Sequence, residues 1–312
     1  RADMDALPVQ ERTGLPFSSE IDGMMHACGH DAHTACLLAA ARALKAREAE
    51  LPCNIRLIFQ PSEEGEISGA KMMVERGVMD GVHAIIAQHN ENTLDAGSIA
   101  VCAGPCQAAC IPATLRFTGK TAHATMAETG ADALAMGVEA YGSLQAMLRE
   151  EAGERRYVWS VGAFHAGAVH NVISDWSEQK ISFRYFDEDF AARVMRRADA
   201  VCAQIAARRG GSHALDWHVS ARAVINDPAL AEQLRGAVAG LMPVRLCETR
   251  MGSEDFSWYL TKAPGLFYRF GTKNEALRPV TRPHNNDYFI DEEGMRTGRR
   301  ALLAFALQFG RT

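Results

Sequence analysis

The sequence has little that points to a membrane or to nucleic acid. No apolar run approaches the ~20 residues that a transmembrane helix needs, and no signal peptide is expected. The 38 acidic residues outnumber the 33 Lys and Arg residues, so the formal charge of -5 at pH 7 provides no basic surface for nucleic acid. We therefore expect a soluble, cytoplasmic protein whose partners include neither a membrane nor a nucleic acid.

The chain also lacks internal repeats, low-complexity segments and a disulfide framework. Its eight cysteines lie in apolar, helix-like or strand-like surroundings, and 312 residues can form a core without covalent cross-links. Free thiols in a reducing compartment are therefore expected. Cys102, Cys106 and Cys110 form an evenly spaced run, but no histidine, fourth cysteine or familiar spacing completes a cluster. Small buried residues at a domain hinge are the preferred interpretation of this run.

Ligand-type side chains are concentrated in one stretch, residues 26–33, which reads His-Ala-Cys-Gly-His-Asp-Ala-His. Imidazole and thiolate are the ligands that zinc-like divalent metals prefer. The stretch opens an apolar, alanine-rich segment that predicts a helix. The sequence therefore predicts a metal site at a helix start, with Cys28 and His30 as ligands and with His26 and His33 in supporting positions.

Strand and helix patterns alternate in the first part of the chain, which favours a mostly parallel α/β sheet. The predicted elements are helices over 31–49 and 68–77 and strands over 53–59 and 83–89. Polar side chains follow these strands, because Glu63 and Glu64 come after the first and His89 ends the second. Ligands of α/β sheets bind at the carboxyl ends of strands, so all three residues are candidates for the site.

The middle of the chain follows a different pattern. Its predicted elements are strands over 113–119, 157–165, 178–187 and 213–220, with helices over 131–149 and 189–209. The order β-α-β-β-α-β is the ferredoxin-like arrangement. We therefore expect an inserted domain at residues 112–222 within a catalytic domain formed by residues 1–111 and 223–312. In the last segment we expect helices over 228–240 and 292–309, a strand over 265–271 and a helix opening at 252–256.

The candidate ligands and one further carboxylate suit a two-metal site. The ligand-type residues at predicted loops or element ends are Cys28, His30, Glu64, His89 and His284. Two divalent ions about 3.5–4 Å apart lower the pKa of a bridging water and polarise a carbonyl. Glu63 is a spare carboxylate beside a ligand, and it could take the proton of that water as a general base.

Five segments together resemble one family. They are residues 1–8 (Arg-Ala-Asp-Met-Asp-Ala-Leu-Pro), 25–33, 59–65 (Phe-Gln-Pro-Ser-Glu-Glu-Gly), 252–256 (Gly-Ser-Glu-Asp-Phe) and 284–285. Their order and spacing resemble the amidohydrolase branch of the dinuclear aminoacylase/carboxypeptidase metallopeptidases. That branch includes hippurate hydrolase, N-acyl-amino-acid amidohydrolases and auxin-conjugate hydrolases. The resemblance implies a zinc-peptidase-like, mostly parallel mixed sheet flanked by helices, with an inserted ferredoxin-like lid and dimerisation domain.

The resemblance also implies roles for individual residues. The implied metal ligands are Cys28, His30, Glu64, His89 and His284. Glu63 would be the general base, and Asp5 would support a metal-bound histidine and orient the site. Two divalent ions per subunit are implied, with manganese or zinc favoured and cobalt or nickel permitted by one thiolate and three imidazoles.

On the substrate side, the resemblance implies three residues of the inserted domain. His123 looks like a histidine that reaches a substrate oxygen, often in the partner subunit's site, and Asn171 and Arg184 resemble groups that bind the substrate carboxylate. Arg184 can hold a carboxylate bidentately, as a hydrolase of N-acyl amino acids requires. For His165 and His170, two roles remain open: lining the substrate site, or a purely structural role. A homodimer formed through the inserted domain follows from the same resemblance.

The expected activity is hydrolysis of the amide bond of N-acyl amino acids, such as N-acetyl or benzoyl conjugates. A dipeptidase or carboxypeptidase of the wider family is the alternative, although Cys28 stands where those peptidases usually have an aspartate. A non-catalytic binding protein is a third possibility, suggested by the start of the chain. Arg1 opens a motif that should follow a strand, so we expect the N-terminal part of the catalytic domain to be missing. The intact Glu63 argues for an enzyme.

Overall fold

The computed structural model describes residues 1–310, which form an α/β protein with mixed β-sheets and helices. The chain divides into two compact units. The first unit consists of residues 1–107, 224–250 and those from 254 onward, and the second consists of residues 108–223 and 251–253. Every helix in the described part of the chain is too short or too polar to cross a membrane.

The strands and helices are numbered in chain order. The strands are β1 (Ala2–Asp3), β2 (Phe59–Gln60), β3 (Ile85–Asp95), β4 (Ile99–Val101), β5 (Gly104–Gln107), β6 (Ala109–Thr118), β7 (Ala122–His123), β8 (Val158–Ala166), β9 (Val172–Ile173), β10 (Trp176–Tyr185), β11 (Ser212–Trp217), β12 (Val224–Asn226), β13 (Val244–Leu246) and β14 (Gly265–Lys273). The α-helices are α1 (His30–Lys45), α2 (Gly69–Glu75), α3 (Ala133–Ala152), α4 (Glu188–Arg208), α5 (Pro228–Ala237) and α6 (Glu293–Gln308). Short 3₁₀ helices cover Glu48–Glu50, Ala124–Thr129 and Asp255–Thr261.

The first unit is built on a four-stranded mixed sheet with the spatial order β13-β4-β14-β3. β13 is parallel to β4 and β14 is parallel to β3, whereas β14 and β4 are antiparallel. Strand β14 is buried from Gly265 to Thr272, and its sequence Gly-Leu-Phe-Tyr-Arg-Phe-Gly-Thr is mostly apolar. Such a run is typical of a strand that is covered on both faces. β14 is therefore the centre of this unit.

Helix α1 packs against this centre through one face. Its residues Ala32, Cys36, Ala40 and Leu44 recur every fourth position and are all buried. The first three share a core cluster with side chains of α5, α6 and β14. The helix thereby holds its first residue, His30, at a fixed place beside the sheet.

Three predicted elements differ from the structure. The strand expected over 53–59 is reduced to β2, because β1 offers it only two paired positions, opposite Phe59 and Gln60. Strand β3 runs past His89 to Asp95, because β14 continues to pair with it beyond that residue. His89 therefore lies within a strand and not at its end. The helix expected to open at 252–256 is the short 3₁₀ helix Asp255–Thr261.

The second unit contains a four-stranded antiparallel sheet with the order β11-β6-β10-β8. Helices α3 and α4 bury their apolar faces with the sheet in one core. Each helix follows an aspartate whose carboxylate accepts a hydrogen bond from a first-turn backbone N–H, Asp132 from Ala135 and Asp187 from Phe190. Along the chain these elements run β-α-β-β-α-β.

Candidate metal centre

A sharp turn brings Cys28 and His30 to the start of α1. Gly29, between them, has φ +84, and a Cβ atom there would lie 2.6 Å from Oδ1 of Asn90 on β3. Only glycine allows both this backbone conformation and this close approach. The turn therefore places the Cys28 thiol and the His30 imidazole against β3, where His89 precedes Asn90.

His30 is held by Asp5 and has one free ring nitrogen. Its Nδ1 atom lies 3.1 Å from the backbone oxygen of Asp5 and 3.3 Å from the carboxylate Oδ1 of the same residue. Its buried Nε2 atom has no hydrogen-bond partner among residues 1–310. Burial alone would lower the pKa of His30, but the charges of Asp3 and Asp5 and the hydrogen bond that His30 donates to Asp5 raise it to about 9. An unpartnered buried nitrogen among carboxylates is the arrangement of a ligand to a cation.

His89 faces Cys28. Its Nδ1 atom lies 2.7 Å from the backbone oxygen of Asn90, and its Nε2 atom lies 3.5 Å from Cys28 Sγ. Burial lowers the pKa of His89 well below its ordinary value, which keeps the imidazole neutral and able to donate a lone pair. Burial also raises the pKa of the Cys28 thiol, and the charges of Glu64 and Glu63 raise it further. Without a cation, Cys28 therefore keeps its proton.

Glu64 pairs with His284 from a distant loop. Glu64 Oε1 lies 2.9 Å from His284 Nε2, and the backbone N–H of Glu64 donates to Asp5 Oδ2 at 2.9 Å. The backbone N–H of His284 donates to the oxygen of Ala27 at 2.8 Å, which ties this loop to the turn before α1. His284 adopts φ +68, a left-handed conformation that is uncommon for a residue other than glycine. Such strain is typical of functional positions.

Glu63 lies beside His30. Its Oε2 atom is 4.0 Å from His30 Nε2, and its side chain is only 13% exposed. Burial raises the pKa of Glu63 well above its ordinary value, and the nearby charge of Glu254 raises it further, whereas Arg1 lowers it. A carboxyl group with a raised pKa is suited to accept and return a proton near neutral pH.

The candidate ligand atoms form overlapping groups of three. Within each group, the atoms lie no more than 4.8 Å from one another; the groups are Cys28 with His30 and His89, Cys28 with Glu64 and His284, and His30 with Glu63 and Glu64. Cys28, His30 and Glu64 each belong to two of these groups, and among them the Cys28 sulfur joins the His89 group to the His284 group, where two ions could share it. The donor set of thiol, imidazoles and carboxylates fits a pair of divalent transition-metal ions.

His33 lies next to this cluster but has both ring nitrogens engaged. Its Nδ1 atom is 2.5 Å from Asp3 Oδ1, and its Nε2 atom accepts a hydrogen bond from the backbone N–H of Asn90 at 2.9 Å. The Asn90 side chain in turn donates to the Tyr288 hydroxyl. Because both ring nitrogens of His33 already have hydrogen-bond partners, neither offers a free lone pair to a metal, and the imidazole supports the neighbouring residues.

A buried ionic network with a single arginine at its centre supports the site from behind. Arg1 Nη1 donates to Asp3 Oδ2 at 2.8 Å, and its Nη2 donates to Glu254 Oε1 and Asp255 Oδ1, both at 2.9 Å. Asp255 also accepts hydrogen bonds from Gln60, Ser68 and the backbone of Ala70. Burial raises the pKa of Glu254 to about 7, against the charge of Arg1.

Arg1 and Asn90 are not among the predicted site residues, and Glu254 is predicted only as a possible helix cap within the 252–256 motif, a position that it does occupy. One signal could have identified Arg1. Arg1, Asp3 and Asp5 alternate at a period of two, so their side chains share one face of an extended segment, and that face carries both charges of an ion pair. Glu254 and Asn90 carry no such local signal, because their partners are far away in the sequence.

The predicted substrate residues belong to the second unit. His123 on β7 pairs with Val172 on β9, so the chain at Asn171 runs beside it, and the Asn171 oxygen accepts a hydrogen bond from the Ala124 N–H at 3.0 Å. Nδ1 of His123 lies 2.9 Å from Thr125 Oγ1. Arg184 lies on β10 and donates to the backbone oxygen of Met251 at 2.9 Å. The structure thus brings His123 and Asn171 into neighbouring positions on the short β7–β9 pair.

The chain is similar to known proteins over most of its length. The model of peptidase family M20/M25/M40 matches residues 1–308. An N-acetyl-L-cysteine deacetylase of Bacillus subtilis is 36% identical over 278 residues, which are 88% of this chain and 66% of that protein. Thermostable carboxypeptidase 1 of Saccharolobus solfataricus is 31% identical over 99% of this chain and 79% of its own length.

A solved structure from Bacillus subtilis, described as a dinuclear metal-binding peptidase of the M20 family, superposes with a TM-score of 0.84 at 34% identity. The match covers 98% of this chain and 79% of that one. The chain therefore spans about two thirds to four fifths of the length of these relatives. The resemblance that the motifs predicted is confirmed by these matches.

Proposed function

The chain belongs to peptidase family M20/M25/M40, a family of hydrolases that act on amide bonds, and from this membership we propose that it hydrolyses N-acyl amino acids to a carboxylic acid and an amino acid. The observation that carries the proposal is the position of Cys28, whose sulfur belongs to two groups of ligand-type atoms beside Glu63. The deacetylase among the relatives supports the N-acyl substrate class.

The proposed ligands of two divalent ions are Cys28, His30, Glu64, His89 and His284. The ions would supply Lewis acidity to the scissile carbonyl and lower the pKa of a bound water. Manganese and zinc are the favoured metals, and cobalt and nickel are acceptable to the same ligands. Asp5 keeps Nε2 of His30 directed into the cluster, because it occupies Nδ1.

Glu63 is the proposed general base. Its carboxylate lies 4.0 Å from His30 Nε2 at the edge of the ligand cluster, where it is proposed to act on protons and not as a ligand. It takes a proton from the attacking water and passes it to the leaving amine, and its raised pKa suits both transfers. The backbone next to Glu63 is held in place, because the Glu64 N–H donates to Asp5 Oδ2 at 2.9 Å.

Substrate recognition is assigned to the second unit. His123 is proposed to hold the developing oxyanion, and Asn171 and Arg184 are proposed to bind the free carboxylate of the amino acid. We also propose that this ferredoxin-like unit serves as a lid and as the interface of a homodimer. A reducing, cytoplasmic location suits eight free cysteines.

A carboxypeptidase or dipeptidase activity is the second candidate, because a thermostable carboxypeptidase matches 99% of this chain. A substrate panel separates the two. The purified protein, loaded with manganese or zinc and checked by elemental analysis, is assayed with N-acetyl and N-benzoyl amino acids and with dipeptides. Faster release of amino acids from the N-acyl substrates supports the proposal, and faster cleavage of the dipeptides contradicts it.

The matched substrate control is an N-acetyl amino acid amide, which lacks the free carboxylate. We expect its kcat/KM to be lower by at least about tenfold, because it forgoes a charge-assisted hydrogen bond. Arg184→Met should remove most of this difference between acid and amide. Equal rates for acid and amide in the unaltered protein would contradict the proposed carboxylate recognition.

A further inference from the structure

A second group of convergent side chains lies elsewhere in the first unit. The sulfur atoms of Cys102, Cys106 and Cys247 all lie within 4.8 Å of one another, and all three residues are buried. Cys102 directly follows β4, Cys106 lies on β5 and Cys247 directly follows β13. This corrects the evenly spaced run seen in the sequence, because Cys110 lies on β6 of the second unit and Cys247 takes its place.

The backbone brings the three thiols together by sheet pairing. β13 is parallel to β4 with Leu246 opposite Val101, so the next residues, Cys247 and Cys102, leave the sheet side by side. The N–H of Cys247 donates to the oxygen of Val101 at 3.2 Å, which fixes this relation. The position of the cluster is therefore set by rigid strands and not by mobile side chains.

Asn226 holds the segment that carries Cys102. Its Nδ2 donates to the Cys102 oxygen at 3.0 Å and to the Phe267 oxygen at 2.8 Å, and its Oδ1 accepts from the Phe267 N–H at 2.8 Å. This completely buried amide bonds backbone groups around the cysteines, and its Nδ2 also lies 3.6 Å from Cys102 Sγ as a donor. A cluster that is braced in this way is organised before any ligand arrives.

The thiols themselves have poor acceptors. Cys106 Sγ lies 3.9 Å from the Phe267 oxygen, and Cys247 Sγ lies 3.7 Å from the Glu248 oxygen. Both distances are near the limit for a sulfur hydrogen bond. The Cys106 and Cys247 thiols would therefore give up only weak backbone contacts on binding a cation.

Two arginines lie on segments that adjoin the cluster, since the Arg250 N–H donates to the Cys106 oxygen at 2.9 Å and Arg269 follows Phe267 on β14. Arg250 Nη2 lies 2.7 Å and Arg269 Nη1 lies 3.4 Å from the same oxygen of Glu91, so two guanidinium groups share one carboxylate. The Nε atom of Arg269 is buried and has no hydrogen-bond partner within the described part of the chain.

We propose that Cys102, Cys106 and Cys247 form a separate thiolate site that binds one soft monovalent metal ion of the copper(I) class. Thiolates select soft ions, and three converging sulfurs match the three-coordinate geometry that such ions accept. On binding, each thiol that still carries a proton releases it to solvent, three S–M bonds form, and no group is oxidised or reduced. Three thiolates and one monovalent ion carry a net charge of −2, which the positive charges of Arg250 and Arg269 would partly balance.

Two simpler interpretations predict different behaviour. The three cysteines also belong to an apolar core cluster, where they could act only as small buried residues. Alternatively, two of them could form a disulfide with a thiol oxidant, which would leave the third unused. Neither interpretation predicts uptake of one ion that requires all three sulfurs.

The test uses the protein with its divalent ions in place. Copper(I) is titrated without oxygen against a chromophoric copper(I) chelator, and X-ray absorption reports the neighbours of bound copper. We expect one additional ion per chain with three sulfur neighbours. Absence of uptake, nitrogen or oxygen neighbours, or diamide-induced disulfide formation without copper uptake would each overturn the proposal. The unaltered protein gives this readout, so the test does not depend on a variant that folds.

Variants then locate the site. Cys106→Ala and Cys247→Ala should each lower the affinity for copper(I), as measured by competition with the chelator, by at least about 100-fold. Loss of a direct ligand should cost more than the 10- to 100-fold that is usual for a residue that only supports a ligand. Cys202→Ala removes another fully buried cysteine, from the second unit, and should leave uptake unchanged. Cys28→Ala should also retain the additional copper, which separates this site from the dinuclear centre. Retained uptake in Cys106→Ala and Cys247→Ala would overturn the assignment.

Discussion

The backbone oxygen and the carboxylate of Asp5 lie 3.1 and 3.3 Å from Nδ1 of His30, and the opposite ring nitrogen of His30 is left without a partner among residues 1–310. The two residues come from separate segments, and the same carboxylate accepts the Glu64 N–H. Asp5 therefore sets the direction of one proposed ligand and the backbone position of another.

The Asp5–His30 pair can be tested with Asp5→Asn. We expect metal affinity and kcat to fall by roughly 10- to 100-fold, because the amide removes the negative charge that raises the basicity of His30, although the backbone oxygen of residue 5 still accepts from Nδ1. Equilibrium dialysis and steady-state kinetics measure both effects. Asp22→Asn changes an exposed acid nearby in the sequence and serves as the control. Unchanged affinity in Asp5→Asn would remove Asp5 from the site.

Glu63→Gln keeps the size of the side chain and removes its basicity. We expect kcat to fall by about 10²- to 10⁴-fold while the protein still binds two ions per chain, because Glu63 acts on protons and is not a proposed ligand. Elemental analysis and activity assays read the two effects separately. Glu66→Gln, an exposed acid in the same loop, should behave as the unaltered protein does. Near-normal turnover by Glu63→Gln would assign the base elsewhere.

Cys28→Ala should lose both ions on dialysis, because its sulfur belongs to two groups of candidate ligands. Cys28→Asp should recover part of the metal content, since a carboxylate can also be shared by two ions. Cys53→Ala removes an exposed thiol and should retain full occupancy. A Cys28→Ala protein that still holds two ions would show that the thiolate is not shared.

Metal binding should release protons near neutral pH. Without metal, His30 has a pKa of about 9, and the pKa of the Cys28 thiol is also raised, so both groups carry a proton at pH 7.5. A metal displaces both protons, so the apparent affinity rises with pH; above about pH 9 His30 no longer contributes and only the Cys28 thiol sustains the rise. Calorimetry in buffers of different ionisation enthalpy counts the protons. A heat that does not depend on the buffer would contradict this prediction.

Arg1→Met should destabilise the first unit by about 3–5 kcal/mol, because it leaves the buried carboxylates of Asp3, Glu254 and Asp255 without their shared cation. Urea unfolding of the metal-free protein measures the change. Arg47→Met removes an exposed arginine that pairs with Glu50, and it should leave the unfolding midpoint almost unchanged. Equal midpoints for the two variants would show that the Arg1 network adds nothing to stability.

Local patterns predicted much of the fold. The apolar periodicity of α1 and the order of elements from β6 to β11 could be read from neighbouring residues, since helix and strand faces repeat at short range. The family followed from five motifs, and its match over residues 1–308 confirms it. The roles of the proposed metal ligands, of Glu63 and of the substrate residues stay predictions.

The sequence by itself determined which side chains were available: the Cys28-Gly29-His30 turn, the adjacent Glu63 and Glu64, and the family to which they point. Only the tertiary structure decided which of them meet. It placed Cys247, and not Cys110, with Cys102 and Cys106, and it extended β3 beyond His89. Both outcomes depend on strand pairing between segments that are far apart in the chain, and no local pattern encodes the partner of a strand.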